Sequence, residues 1–111
     1  MNELLENLDK NIILYNKLKI EFNANEKKTL SNLLKEISTT LFFLEKYRSD
    51  YFDTHNGIIY TLTESKQSVS KALVIANKEV PELYMLRRIM TSGYKVLDAI
   101  RSNISTINKE N

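Results

Sequence analysis

The sequence predicts an all-α protein built from long amphipathic helices, and three observations predict it. Its 111 residues include only 2 Gly and 1 Pro, so few points interrupt regular structure. Hydrophobic residues make up 42% of the chain, more apolar surface than a disordered segment carries. Those residues recur at steps of three and four along most of the length, which is the helical period. The length suits one domain, 1–111, with helices expected at about 3–22, 26–54, 63–78 and 82–109.

In the first helix, Leu4, Leu5, Leu8, Ile12, Tyr15, Leu18 and Phe22 form the apolar stripe. Asn23 followed by Glu26 has the spacing of a capping box and opens the second helix. A single bent helix through this region is the alternative, because neither Gly nor Pro breaks it.

The second helix carries Leu30, Leu34, Ile37, Leu41 and Leu44, then Tyr51, with Arg48 at the missing seam position. Leu33, Phe42, Phe43 and Tyr47 widen the stripe, which points to a bundle or to two contacting faces. Asp53-Thr54-His55-Asn56-Gly57 reads as the clearest stop, with Gly57 in the left-handed conformation at a helix end. Ile58-Ile59-Tyr60 is too short to found a sheet and is expected as a loop packed on helices. Thr61 and Glu64 have capping-box spacing for the third helix, in which Ser65, Ser68 and Ser70 lower intrinsic propensity.

Pro81 is expected in the first turn of the last helix, where its missing amide hydrogen costs nothing. There Leu83, Leu86, Met90, Gly93, Leu97, Ile100, Ile104 and Ile107 alternate steps of three and four without a lapse. Gly93 within this seam admits either a close backbone approach or a bulky partner. Water cannot keep such a stripe, since burying each Leu or Ile contributes roughly 1.5–3 kcal/mol. Either the chain's other helices cover it or neighbouring subunits do, and oligomerisation is expected through these eight positions.

The chemistry-bearing residues are few. Sixteen Lys and Arg against 14 Asp and Glu leave a net charge of +2, too little for one copy to bind nucleic acid strongly. With no Cys, disulfides and thiolate metal sites are excluded within the chain. No apolar run approaches the roughly 20 residues that span a bilayer, and the acidic start is unlike a signal peptide, so a cytoplasmic, non-membrane protein is expected. His55 is the only imidazole and is read as an exposed turn residue; no metal, cofactor or enzymatic activity is expected.

One segment stands apart. Lys46-Tyr47-Arg48-Ser49-Asp50-Tyr51-Phe52 joins two cations to three aromatic rings. Rings stack on unpaired bases while Lys and Arg contact phosphates, so Lys46, Tyr47, Arg48, Tyr51 and Phe52 are candidate contacts for single-stranded nucleic acid. Residues two apart on a helix lie about 200° apart, however, so Lys46 and Arg48 do not share a face. The bland reading pairs Arg48 with an acid such as Glu45 and leaves the rings in the core.

The order of motifs resembles the UvsY family, the recombination mediator proteins of T-even-type bacteriophages. The resembling residues are Leu14-Tyr15-x-Lys17-Leu18, then Lys46-x-Arg48-x-Asp50-Tyr51-Phe52 with Gly57 after it. Ala76-Asn77-Lys78-Glu79-Val80 and Gly93-x-x-x-Leu97-Asp98-Ala99-Ile100-Arg101-Ser102 complete the series. The stretch 53–60 and Pro81 depart from the family's pattern. The resemblance implies a ring-like homo-oligomer of about six or seven subunits that binds single-stranded DNA. It also implies partners: a phage recombinase, which the mediator helps load, and the single-strand-binding protein it helps displace, in the host cytoplasm. The family's Lys-x-Arg motif maps onto Lys46 and Arg48, and its neighbouring aromatic positions onto Tyr51 and Phe52. The competing expectation is a helical adaptor that binds protein alone.

Overall fold

A computed structural model describes residues 1–110, and Asn111 lies outside the described residues. The chain forms four helices: α1 (Asn2–Lys17), α2 (Glu26–Glu64), α3 (Val69–Glu79) and α4 (Pro81–Glu110). No strand occurs among the described residues, so the all-α expectation holds.

α2 is the spine. At 1.5 Å per residue its 39 residues run about 58 Å, nearly the full 63 Å long axis of the molecule. α4 runs antiparallel along it, so that Leu41 meets Gly93 while Phe52 lies under Arg87. α1 packs beside the first half of α2, where the Asn7 side-chain amide donates to the Thr40 hydroxyl at 3.1 Å. α3 packs beside the second half, where His55 and Asn77 share a hydrogen bond of 2.7 Å.

The apolar periodicity of α1, α2 and α4 converges on one core. Leu8, Leu30, Leu33, Ile37, Leu41, Leu44, Leu86, Met90, Leu97, Ile100 and Ile107 form a single buried cluster. The seam of α4 is therefore covered within the chain. Leu86 and Ile100 are fully buried, Leu83, Met90, Gly93, Leu97 and Ile107 are buried, and Ile104 is half-buried. Of the two covers that the sequence allows for this stripe, the chain's own helices supply it, leaving little of these eight positions for a neighbouring subunit. Gly93 accommodates not an aromatic ring but two leucines: a Cβ there would stand 3.0 Å from Leu41 Cδ2 and 3.2 Å from Leu8 Cδ1.

Three boundaries differ from those expected. α1 ends at Lys17 rather than near 22, and Phe22 sits at φ 58°. That left-handed conformation is costly for a residue with a Cβ. The Glu26 carboxylate pins both flanks of it, accepting from the amides of Glu21 and Asn23 at 3.0 Å. The Glu26 amide donates back to Asn23 Oδ1 at 3.2 Å, so the capping box forms as its spacing predicts.

α2 does not stop at Gly57. It passes through Gly57 and Ile58-Ile59-Tyr60 as continuous helix to Glu64, with Gly57 at an ordinary negative φ. The stop falls at Lys66 instead, at φ 68°. Its amide donates to the Thr63 carbonyl at 3.0 Å and the Gln67 amide to the Leu62 carbonyl at 3.0 Å. That pair of bonds is a Schellman motif with lysine where glycine is usual.

The third helix accordingly begins later, with Ser68 as its N-cap in place of Thr61: the Lys71 amide donates to Ser68 Oγ at 3.2 Å. The serines that lower propensity inside a helix thus include the residue that starts one. Pro81 opens α4 as expected, after Val80 has left the helical conformation at ψ 63°. Among the described residues no helix is long and apolar enough to cross a membrane.

Candidate nucleic-acid interface

The five residues expected to contact nucleic acid lie on α2 within about two turns, and the helix distributes them round its circumference. Lys46 projects into a shallow groove of about 530 Å³ lined by Phe42, Phe43, Glu45, Ser49 and Asp50. Phe42 and Phe43 meet edge to face, with centroids 5.6 Å apart, and both are exposed. Tyr47 turns the other way, beside Met1, Asn2, Glu3 and Leu4 at the start of α1. Tyr51 is half-buried against the core, as the bland reading of that ring expects.

Arg48 and Phe52 face α4. The Arg48 guanidinium donates Nε–H to Glu45 Oε1 at 2.9 Å and also bonds it through Nη2. That hydrogen bond holds the Glu45 carboxyl below the usual carboxylate range and raises the pKa of Arg48 further. Tyr94 of α4 adds a smaller contribution to Arg48. Phe52 lies under Arg87 of α4, whose guanidinium carbon is 5.3 Å from the ring centroid, within cation–π range.

The structure therefore does not bring Lys46 and Arg48 together. It does bring Arg48 and Phe52 to residues that the sequence reading passed over, Arg87 and Tyr94. The signal was present in part: Arg87 and Tyr94 are polar and aromatic positions off the α4 seam, seven residues apart and so on one face. What the sequence lacks is the antiparallel register that lays this face beside 48–52.

His55 overturns its expectation of an exposed turn. It is a buried helical residue, 8% exposed, with Nε2 bonded to Asn77 Oδ1. Placing it inside an unbroken α2 turns it towards α3 and α4. It lines an open cleft of about 540 Å³ with Leu73, Asn77, Tyr84 and Arg87. Among the described residues no group of three His, Asp or Glu side chains converges as a metal site would require.

No protein-family model, curated protein or solved structure matches this chain.

Proposed function

We infer that the chain is a single-stranded DNA-binding recombination mediator of the type its motif order resembles. In this reading it works without nucleotide hydrolysis, as a ring-like homo-oligomer of about six or seven subunits in the host cytoplasm. Its partners are a phage recombinase and the single-strand-binding protein that coats the DNA.

One observation supports the reading above the others. Of six Tyr and four Phe, all but Tyr15 and Tyr51 are exposed. A monomer that needed its rings for stability would bury them, because aromatic side chains carry the largest apolar area. Exposed rings beside Lys46, Arg48 and Arg87 suit bases that stack and phosphates that pair with cations. Weak sites repeated round an assembly also explain how a chain of net charge +2 holds DNA.

A helical adaptor is the second reading, favoured by the Phe42–Phe43 pair, which offers a protein partner an apolar contact. Fluorescence anisotropy with labelled single-stranded DNA, run beside sedimentation, separates the two. The mediator reading expects binding that weakens as salt rises, and tighter binding of long strands than of short ones. Lys46→Ala with Arg48→Ala should lower the salt dependence by no more than the two phosphate contacts it removes, at unchanged helicity. An adaptor would show no salt-dependent binding at any strand length, while Phe42→Ala with Phe43→Ala would abolish its protein complexes.

A further inference from the structure

We propose that the outer face of α4 from Tyr84 to Lys95, with Phe52 along its edge, is the principal track for single-stranded nucleic acid. This rests on the DNA-binding reading but assigns the work to different residues.

The charge distribution carries the argument first. Residues 83–97 contain Arg87, Arg88 and Lys95 and no acid, although the whole chain is nearly neutral. All three cations are exposed, and none is in either ion pair formed among the described residues, Arg48–Glu45 and Arg101–Asp98. Arg48, by contrast, already spends its guanidinium on Glu45.

Geometry carries it second. At 100° per residue, Tyr84, Arg88, Thr91 and Lys95 fall in one sector about 60° wide, and Arg87 and Tyr94 lie on its α2 side. The sector is about 16 Å long at 1.5 Å per residue. Tyr84 is 73% exposed and Tyr94 45% exposed, so each offers a ring to a base from one side. Their spacing alternates ring and cation along the track, the arrangement by which bases stack while phosphates pair. Arg87 is held over Phe52, which fixes one cation at the edge of the strip before any ligand arrives. At the foot of the track, the cleft between Tyr84, His55 and Asn77 has room for an unstacked base.

The contacts read no sequence. Rings and guanidinium groups accept any base face and any phosphate, so the track suits a protein that must act wherever single strand occurs. Duplex DNA hides those base faces and gains only the phosphate contacts.

The test is anisotropy of the full-length chain with a labelled oligothymidylate, titrated between 50 and 200 mM salt, with circular dichroism as the fold control. Arg87→Gln/Arg88→Gln/Lys95→Gln removes three charges from exposed helical positions. It should reduce the magnitude of the log–log salt slope by about 2 for each subunit that the strand engages, at roughly 0.7 per phosphate contact on single strands. Tyr84→Ala/Tyr94→Ala should weaken binding about tenfold or more at fixed salt, and Tyr84→Phe/Tyr94→Phe should restore it, because stacking needs the ring and not the hydroxyl. A duplex of the same length should compete poorly. A folded triple-Gln variant with the wild-type slope overturns the track while leaving the DNA-binding reading intact. So does a result in which Lys46→Ala/Arg48→Ala abolishes binding and the triple variant does not. Wild-type protein that shows no salt-dependent binding would instead remove the DNA-binding reading, and the track with it.

Discussion

The two halves of α2 are built on opposite plans. From Leu30 to Leu44 the helix buries Leu30, Leu33, Ile37, Thr40, Leu41 and Leu44 between α1 and α4. From Glu45 to Glu64 it buries only His55, and the side chains that replace leucine on the α4 side are Arg48 and Phe52. The partner helices match the difference. Leu8 and the buried Asn11 of α1 cover the first half, whereas α3 meets the second with Ala72 and Ala76. One rod thus carries a core at one end and a lightly covered, polar and aromatic surface at the other. Stability and binding can then be altered separately, because the same helix holds both in register.

The largest expected effect contrasts adjacent residues. Leu41 is 2% exposed and Phe42 is 74% exposed. Leu41→Ala should cost roughly 2–5 kcal/mol, since it leaves a cavity under Leu8 and Gly93. Phe42→Ala should stay within about 0.5 kcal/mol. Urea unfolding followed by circular dichroism measures both; equal losses would dissolve the distinction between core and surface in that half.

The two glycines give a smaller effect with opposite outcomes. Both are helical and neither has positive φ. Nothing lies within 4 Å of a Cβ at Gly57, so Gly57→Ala should stabilise the chain by up to about 1 kcal/mol, the helix-propensity difference. At Gly93 the same gain is opposed by the crowding of Leu41 and Leu8, and Gly93→Ala should show little or no stabilisation. Thermal melts of the pair decide it. Destabilisation by Gly57→Ala would instead mean a left-handed glycine and a helix end there.

The smallest effect is electrostatic. The Glu45 pKa is depressed in the folded chain, chiefly by the Arg48 hydrogen bond. The pair's stabilisation is therefore present above the ordinary carboxylate range and lost as pH falls through the depressed folded value. Both side chains are partly exposed, so Glu45→Gln should cost only a few tenths of a kcal/mol at neutral pH. In the binding assay the same variant frees Arg48 for phosphate and should tighten single-stranded DNA. Stability curves against pH should converge for wild type and variant on the acid side.

The core half was legible in the sequence because periodicity is an average over many residues. Leu83 to Ile107 and Leu30 to Leu44 announce their buried face whatever surrounds them. The other half depended on single residues whose meaning tertiary structure sets. Gly57 looks like a stop but stays helical, with Ile58, Ile59 and Leu62 half-buried beyond it. Lys66 looks like nothing in particular and is where the helix ends. His55 changed role with that boundary, from exposed turn to buried partner of Asn77. The candidate site was legible on α2 alone, since Arg87 and Tyr94 join it only through the antiparallel register with α4.

An unbroken α2 is the claim on which the placement of His55, Phe52 and α3 depends, and amide hydrogen exchange across 55–61 tests it most directly. A continuous helix bonds each of these amides to a carbonyl four residues back, so the amides of Gly57 to Thr61 should be protected to a degree similar to their helical neighbours. Rapid exchange confined to Gly57, Ile58 and Ile59, with protection resuming only beyond Thr61, would contradict the account and restore the break at Gly57.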